Sequence, residues 1–520
     1  MAGEHFDVLI VGAGLSGVGA ACRLQKACPA KSYAILESRD DLGGTWDLFR
    51  YPGVRSDSDM FTLSYSFRPW THAKAIAGGR TILTYIRDTA REYGVDKKIR
   101  FRCRVKAASW SSADALWTVE VERGEEREIV RFTCGFLLMC AGYYAYEAGY
   151  LPDFPGLERF QGRVVHPQKW TEDIEYAGKR VLVIGSGATA VTLVPELAKR
   201  AAHVVMLQRS PTYVVERPST DVVADALRAT LPQRLAYRLA RWKNIVLGAY
   251  FFRFCRRSPQ SAKWLLLKRV RDALGPDYDV GRHFTPRYNP WEQRLCLVPD
   301  GDLFRAIRNR RASVVTDRIE AFTKSGVVLS GGEEIEADLV VTATGLVLQP
   351  LGGVRLSVDG AEVDLAKTMT YKGAMFSDVP NLASVFGYTN ASWTLKADLI
   401  CQFVCRLLNH MDAQGYRQCT PHNDDPFVAK SPLVDFSSGL FQRALDRLPK
   451  QGSKSPWRSR QNYVRDVLTL KFGALGDGAL RFSNPSASLG SRGDAASAPN
   501  GSVPVGQGAA APPHSPSAAR

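Results

Sequence analysis

A short apolar strand, a glycine-rich turn and a helix follow one another near the start of this chain. Residues 8–11 lead into Gly12, Gly14 and Gly17, which are spaced as GxGxxG, and a helix is predicted over 18–26. The next apolar run, 33–36, ends at Glu37. The first two glycines allow a tight turn and a close backbone approach to a pyrophosphate, and the third allows close helix–strand packing. This order predicts a βαβ unit that binds a dinucleotide.

The pattern then occurs a second time. Residues 181–184 lead into Gly185-Ser186-Gly187-Ala188-Thr189-Ala190, a helix is predicted to residue 199, and a strand follows over 203–207. Two such units predict an α/β protein with two Rossmann-like dinucleotide-binding domains, one for FAD and one for NADP. The alternative for each unit is a glycine turn that binds no ligand.

The two units differ at the end of their second strand. A carboxylate such as Glu37 accepts hydrogen bonds from ribose hydroxyls but repels a 2′-phosphate. The second unit has Gln208 and Arg209 at this place, and a guanidinium binds a 2′-phosphate with charge-assisted hydrogen bonds. We therefore expect NADPH at the second unit, with a solvent-exposed Arg209 that binds no ligand as the alternative.

The first unit is interpreted as the FAD site. A further glycine pair, Gly43-Gly44, follows Glu37 and allows backbone to lie against a long ligand. The predicted cofactor contacts of this site are Gly12, Gly14, Ser16, Gly17, Glu37, Gly44, Thr45, Trp46, Asp47 and Asp57. Those of the NADPH site are Gly185, Gly187, Thr189, Ala190, Gln208 and Arg209.

The length of 520 residues predicts more than one domain. We expect a first part of an FAD-binding domain over 1–150, and an NADP-binding domain over 151–345 with a helical insertion at about 220–285. A second part of the FAD-binding domain is expected over 346–483. Residues 484–520 are rich in Ser, Ala, Pro and Gly without apolar periodicity, and we predict a disordered tail there.

The net charge narrows the choice of binding partners. The net charge is +16, and between Arg228 and Arg271 lie twelve Lys or Arg but no Asp or Glu. This stretch is compatible with a solvated basic face, with contact to an anionic membrane surface, or with nucleic-acid binding. No nucleic-acid motif accompanies it, so we expect no nucleic-acid partner.

The ten cysteines show no metal-site spacing. We expect no metal and free thiols in a reducing cytoplasm.

We see neither a targeting signal nor an apolar run of membrane-spanning length. We therefore expect a cytoplasmic protein, and peripheral membrane association stays open.

A third group of motifs carries a family resemblance. Residues 160–170 read FQGRVVHPQKW, which resembles the FxGxxxHxxxWP fingerprint of Baeyer–Villiger monooxygenases, with Thr171 in place of the proline. The chain also contains GGTWD at 43–47, YPGVRSD at 51–57 and NPWEQR at 289–294. Together these motifs are similar to those of class B flavoprotein monooxygenases, in the subgroup of the mycobacterial thioamide-activating enzymes. The resemblance spans about residues 5–480.

The resemblance implies that FAD takes hydride from NADPH and reacts with dioxygen. The resulting flavin peroxide inserts one oxygen atom into a ketone to give an ester or lactone, with oxygenation of sulfides such as thioethers or thioamides as a second activity. Arg294 matches the family's active-site arginine and Asp57 the carboxylate that holds it, the alternative being a structural ion pair. His166 is expected to be a hydrogen-bonding hinge more than an acid–base catalyst, and Trp170 a packing residue. The segment 393–396 is expected near the flavin.

Three other functions stay open. Thr171 leaves room for a flavin-containing N- or S-oxygenase without Baeyer–Villiger activity. A second alternative is an NADPH-dependent flavin reductase, although no CxxxxC follows the first helix. A third is a non-catalytic nucleotide-binding protein at a membrane surface.

Overall fold

A computed structural model describes residues 3–434 and 436–485. Strands β1–β25 and helices α1–α13 are numbered along the chain. The tail predicted over 484–520 lies, except for its first two residues, outside the described residues.

The larger sheet is built around β1, which is parallel to a neighbour on either side. Its order is β18-β17-β4-β5-β6-β1-β2-β3, and β21 also pairs with β6. The strands are β1 (His5–Val11), β2 (Tyr33–Leu36), β3 (Ile99–Arg100), β4 (Cys103–Ser111), β5 (Leu116–Arg123), β6 (Glu128–Met139), β17 (Arg355–Val358), β18 (Ala361–Glu362) and β21 (Leu382–Ser384).

Burial on both faces explains why β1 is apolar without interruption from Val8 to Val11. Val8 and Ile10 face one core, whereas Leu9 and Val11 face the core on the opposite side. The first core includes helices α1 (Leu15–Ala27), α4 (Gly79–Glu92) and α11 (Trp393–Gln414), and the second is built from β4–β6. A strand that is covered on both faces needs a continuous apolar sequence.

The smaller sheet has five parallel strands in the order β12-β9-β8-β16-β7. They are β7 (Arg163–Val165), β8 (Arg180–Ile184), β9 (His203–Gln208), β12 (Ala312–Thr316) and β16 (Leu339–Thr342). Helix α5 (Ala188–Leu197) packs on this sheet, together with α10 (Asp302–Arg308). Each sheet thus carries one of the two glycine turns at the carboxyl end of a central strand.

Four helices lie where the insertion was expected. They are α6 (Val222–Thr230), α7 (Gln233–Arg257), α8 (Pro259–Leu274) and α9 (Val280–Phe284). The strands that enter and leave this segment, β10 (Val214–Arg217) and β11 (Cys296–Pro299), pair in parallel. The basic stretch from Arg228 to Arg271 forms most of α7 and α8.

The remaining elements are short. The strands are β13 (Ile319–Phe322), β14 (Gly326–Leu329), β15 (Glu334–Glu336), β19 (Thr370–Tyr371), β20 (Met375–Phe376), β22 (Gln418–Pro421), β23 (Lys430–Pro432), β24 (Lys450–Gly452) and β25 (Leu480–Ser483). The helices are α2 (Thr45–Leu48), α3 (Met60–Leu63), α12 (Gly439–Gln442) and α13 (Tyr463–Asp466), the last continued by a π-helical turn, Val467–Phe472.

Runs of apolar residues separated by turn residues such as Gly124 also predict strands near 100–109, 127–133 and 136–139, and these predictions were wrong in two details. The expected strands 127–133 and 136–139 are one strand, β6, because its first half pairs with β5 while its second half pairs with β1 and β21. The expected strand 100–109 is divided between β3 and β4, because Arg102 has a φ of 54°, outside the range of a strand.

Candidate active site

A cleft of about 450 Å³ begins at the turn after β1. Nine of the residues predicted to contact FAD or to catalyse the reaction line it: Gly12, Gly14, Ser16, Glu37, Gly44, Thr45, Trp46, Asp57 and Arg294. Turns that follow parallel strands meet at the carboxyl edge of the sheet, where α/β proteins bind nucleotides. The predicted FAD contacts and the predicted catalytic pair therefore share one cavity.

The two glycine turns have the same construction. Gly12 and Gly185 both have positive φ, at 100° and 136°. A Cβ at Gly12 would lie 2.7 Å from the carbonyl oxygen of Cys140, and one at Gly185 would lie 2.3 Å from that of Ala343. Each first glycine thus lies against the end of a neighbouring parallel strand, where no side chain fits.

The helices that follow both turns present free backbone N–H groups. The N-cap residues are Gly14 for α1 and Gly187 for α5, and neither provides a side-chain cap. Such helix ends bind phosphate through N–H groups and the helix dipole. Gly17 lies in the first turn of α1, where a Cβ would be 1.9 Å from the carbonyl oxygen of Gly12. Its role is the close packing predicted for the third glycine.

Glu37 is 3% exposed, although it is charged in its ordinary state. One carboxylate oxygen accepts the N–H of Ala13 at 2.7 Å, and the other accepts that of Arg39 at 2.9 Å. Burial raises the pKa of Glu37, while these hydrogen bonds act in the opposite direction. Glu37 therefore holds the first glycine turn in place as well as lining the cleft.

Asp47 was predicted to contact FAD directly, but it is not among the residues that line the cleft. Its buried carboxylate lies 2.6 Å from the guanidinium of Arg39 and 3.2 Å from that of Arg50. Arg39 lines the cleft, and its Nε is buried without a hydrogen-bond partner among the described residues. Asp47 thus orients an arginine that the sequence did not single out.

At the second turn, Gln208 and Arg209 point to different environments. Arg209 is exposed, whereas Gln208 is buried. The amide nitrogen of Gln208 donates to the carbonyl of His283 at 2.7 Å and to Oγ1 of Thr316 at 2.9 Å. Arg209 alone is therefore free to reach a 2′-phosphate through solvent, while Gln208 ties β9 to α9 and β12.

Thr189 and Ala190 occupy the first turn of α5. Thr189 shares a hydrogen bond with the hydroxyl of Tyr51, and Ala190 is fully buried in the core beneath the helix. Their contribution to the site is thus to position the helix end.

Asp57 and Arg294 form a bidentate ion pair. Nη2 of Arg294 lies 3.0 Å from Oδ1 of Asp57, and Nε lies 2.9 Å from Oδ2. The carboxylate raises the pKa of Arg294, which burial alone would lower. The Arg294 side chain still keeps 42% of its surface accessible in the cleft, so it is held in one orientation and can contact a ligand.

Contacts between the two sheets place this pair between the glycine turns. The loop before Asp57 packs on α5, with a Cβ at Gly53 only 3.1 Å from the carbonyl oxygen of Thr192. Arg55 pairs with Asp302 of α10. Cys296, two residues after Arg294, contacts the carbonyl of Ser186 in the second turn. The ion pair therefore lines the cleft of the first glycine turn, while its neighbours along the chain contact the second unit.

The fingerprint at 160–170 has a structural role. A Cβ at Gly162 would lie 2.7 Å from the carbonyl oxygen of Asp338, so β7 can approach β16 only with glycine there. Nε2 of His166 lies 3.0 Å from the carbonyl oxygen of Gly345, and Nδ1 accepts the N–H of Gln168 at 3.2 Å. Trp170 is buried against Tyr176. These contacts support the hinge interpretation of His166 and the packing interpretation of Trp170.

Two aromatic side chains line the cleft near Arg294, and one of them, Tyr143, was not identified from the sequence. The rings of Tyr143 and Trp393 stack at a centroid distance of 4.9 Å, and Nε1 of Trp393 donates to Oγ of Ser16 at 2.9 Å. Tyr143 follows the carboxyl end of β6, and this position at the edge of the sheet is the sequence feature that could have identified it. The expected approach of segment 393–396 to the cleft holds for Trp393, which lines it.

The chain is similar in sequence to known proteins. Residues 6–243 match the flavin-binding monooxygenase-like family. The chain is 52% identical over 488 residues to the FAD-containing monooxygenase EthA of Mycobacterium tuberculosis. The match covers 94% of this chain and 99% of EthA. The chain belongs to the FAD-containing monooxygenases. This monooxygenase is also 52% identical to MymA of the same organism over 485 residues, 92% of this chain and 98% of MymA. The resemblance to the mycobacterial subgroup is thus confirmed.

Solved structures show the same fold. A steroid monooxygenase bound to NADP has a TM-score of 0.69 at 25% identity, with 81% of this monooxygenase and 88% of that chain covered. Cyclohexanone monooxygenase in an open form has a TM-score of 0.68 at 21% identity, with 81% and 90% covered. The predicted α/β fold with two dinucleotide-binding domains is confirmed.

Proposed function

We propose that this monooxygenase inserts one oxygen atom from dioxygen into ketones, giving esters or lactones, with FAD at the first glycine turn and NADPH at the second. Residues 1–150 and 346–483 would hold FAD, and 151–345 would hold NADPH. The observation that carries the proposal is the bidentate Asp57–Arg294 pair, because it lines the same cleft as the first glycine turn and contacts the second turn through its neighbours.

The cleft fits FAD in shape and chemistry. Gly14 and Gly44 approach each other closely, so backbone rather than side chains lines this part of the cleft. The free N–H groups of α1 suit the pyrophosphate, and Glu37 suits the ribose. The buried Nε of Arg39 adds a donor whose hydrogen bond no described group satisfies. When bound, FAD would accept hydride from NADPH and activate dioxygen.

Arg294 would supply a fixed positive charge where negative charge develops on oxygen. An unpaired anion in a site of low dielectric costs several kcal/mol, and a cation already in position stabilises it without reorganisation. Asp57 fixes the guanidinium through two hydrogen bonds, which keeps the unpaired N–H groups directed into the cleft. The Tyr143–Trp393 pair would limit the access of water.

Replacement of Arg294 by alanine tests this assignment. We expect Arg294→Ala to retain bound FAD and NADPH oxidation, to lose oxygenated product, and to release hydrogen peroxide instead. Product would be followed by mass spectrometry and peroxide by a coupled assay, with Arg180→Ala, an exposed arginine of the smaller sheet, as control. Undiminished ester formation in Arg294→Ala would overturn the assignment.

Oxygenation of sulfur is the second candidate activity. Thr171 stands where the Baeyer–Villiger fingerprint has proline, which leaves room for an enzyme that mainly oxygenates sulfur or nitrogen. Incubation of one aliphatic ketone and one thioether with NADPH compares the two directly. Sulfoxide without ester would replace the ketone proposal by this one.

A further inference from the structure

Helix α7 exposes an apolar row on its outer side. Leu235, Leu239, Trp242, Val246 and Tyr250 are between 43% and 72% exposed. Their spacing of three or four residues places them on one face of the helix. The opposite face is buried and includes Tyr237, Arg241 and Asn244.

A second apolar row adjoins the first. Val464, Leu468 and Phe472, on α13 and the π-helical turn, are 51%, 61% and 65% exposed. The rings of Trp242 and Tyr463 meet at a centroid distance of 5.8 Å, so the two elements are in contact. Large contiguous apolar patches are rare on monomeric soluble proteins and mark interaction sites. We call the two rows together the apolar platform.

The exposed charges on the two elements that form the platform have one sign. Helix α7 contains no Asp or Glu, and Arg253 and Arg257 continue its apolar row toward the carboxyl end with the same spacing. Arg238 and Arg465 are exposed beside the two rows. The acid of the second element, Asp466, is buried and paired with Lys396 at 2.7 Å. The platform therefore presents apolar side chains with cations and no exposed acid on either element.

We propose that the apolar platform docks this monooxygenase on an anionic lipid surface. Apolar side chains that enter the interface between headgroups and acyl chains, with cations that remain among anionic headgroups, are the two attractions that hold a peripheral helix on a membrane. The described residues contain no helix with the length and apolar content needed to cross a bilayer, so the contact is peripheral. The proposal is independent of the reaction proposed above.

Charge complementarity favours lipid over other occupants. A second copy of the chain would bring the same cations to the same surface in a symmetric contact. A nucleic acid would match the cations and could stack on the exposed rings, but the aliphatic side chains such as Leu239, Val246 and Leu468 would find no apolar partner along its phosphate backbone. An anionic membrane satisfies the cations and the apolar rows together.

The buried face of α7 connects the platform to the cleft. The amide of Asn244 donates to Oδ1 of Asp59 at 2.9 Å, two residues from Asp57. The ring of Phe252 meets that of Trp291 at 5.5 Å, three residues before Arg294. Docking through α7 would therefore bring the cleft close to the lipid surface.

Vesicle flotation of the FAD-loaded full chain tests the proposal. We expect the protein to float with vesicles of equal parts phosphatidylcholine and phosphatidylglycerol, and far less with phosphatidylcholine alone. The double variant Val246→Glu/Tyr250→Glu is expected to lower binding by about tenfold or more, because it places two anions in the interface. Leu468→Glu tests the second row and is expected to act in the same direction.

The matched control is Ile129→Glu. Ile129 is 58% exposed, close to the 56% of Val246, but lies on β6, and its substitution is expected to leave binding unchanged. Arg253→Gln/Arg257→Gln is expected to weaken binding to the anionic vesicles by about fivefold per cation. Retained bound flavin and an unchanged Tm show that each variant is folded.

Three results would overturn the proposal. One is that the wild type does not float with anionic vesicles. Another is that the platform variants and Ile129→Glu float equally well. The third is sedimentation of a lipid-free dimer that the platform variants convert to a monomer, because the platform would then be a contact between copies. A failure of the Arg294 experiment would leave all of these results unaffected.

Discussion

Single side chains separate the two nucleotide sites of this monooxygenase. Glu37 ends the second strand of the first unit and is buried, whereas Arg209 follows the corresponding strand of the second unit and is exposed. The neighbouring Gln208 is turned inward by two hydrogen bonds. At the residue scale, therefore, the proposed preference of the second site for a 2′-phosphate depends on one guanidinium.

Arg209→Ala is expected to raise the KM for NADPH about ten- to a hundredfold, because a charge-assisted hydrogen bond contributes about 1.5–3 kcal/mol. The KM for NADH should change little. Steady-state kinetics with both cofactors measures the difference. Lys199→Ala, an exposed cation beyond the other end of α5, serves as control, and equal effects of Arg209→Ala on both cofactors would remove Arg209 from this role.

His166 gives a pH-dependent contribution to stability. Burial lowers the pKa of His166, and its Nδ1 accepts an N–H, which requires the neutral ring. The folded protein therefore binds fewer protons than the unfolded chain, whose histidine has a pKa of about 6.5. The contribution is complete above about pH 6.5 and is lost as the pH falls below that value toward the lowered pKa of the folded state.

His166→Ala is expected to lower the free energy of unfolding by about 1–3 kcal/mol at about pH 8, because two buried hydrogen bonds are lost. The difference from wild type should shrink toward about pH 5.5. Denaturant unfolding of both proteins at several pH values measures it. A difference that grows toward low pH, or a shift in the pH profile of kcat, would contradict the hinge interpretation.

At the scale of elements, close approaches decide how the smaller sheet is completed. Strand β7 joins β16 only because Gly162 leaves room for the backbone at Asp338 and for the ring of Phe160. Hydrophobic periodicity does not report such a contact. In this chain, Gly162 of the fingerprint therefore determines how closely β7 packs against β16.

Gly162→Ala is expected to lower the free energy of unfolding by about 1–3 kcal/mol, because a methyl group that has no space beside the carbonyl oxygen of Asp338 forces the backbone to shift. Gly248→Ala is the matched control. Gly248 is an exposed helical residue of α7 whose added Cβ meets nothing, so alanine should stabilise by about 0.5–1 kcal/mol. Thermal and denaturant unfolding compare the two, and a neutral Gly162→Ala would refute the steric argument.

At the scale of the whole molecule, the cleft is formed by distant parts of the chain. It is lined by the turn after β1, by the loop that contains Asp57, by Arg294 before β11 and by Trp393 at the start of α11. These parts come together only in the folded protein, so a ligand of this cleft binds the folded state and not the unfolded chain. Stability should therefore depend on the cofactor.

Removal of FAD is expected to lower the Tm by several degrees, because a ligand at a hundredfold its Kd stabilises the folded state by about 2.7 kcal/mol. Addition of FAD should restore the Tm, and NADP⁺ should add a further increase that Arg209→Ala lacks. Differential scanning fluorimetry measures both steps. Identical melting of the flavin-free and flavin-loaded proteins would argue against FAD in this cleft.

The nucleotide turns could be predicted because their information is local. Strand, turn, helix and the acid or arginine that follows lie within a few tens of residues, so spacing alone identifies them. The direction of Gln208, the contact of Asp47 with Arg39 and the continuity of β6 were not predictable, because each depends on neighbours from other elements.

The sequence by itself determined the two dinucleotide-binding units, the family, and the identity of Arg294 and Asp57 as candidates. Only the tertiary structure showed that these two residues, 237 positions apart, share one ion pair in one cleft. It also showed that the apolar rows of α7 and of 464–472 adjoin. The physical reason is that periodicity encodes which face of an element is apolar, whereas packing between elements decides which faces meet.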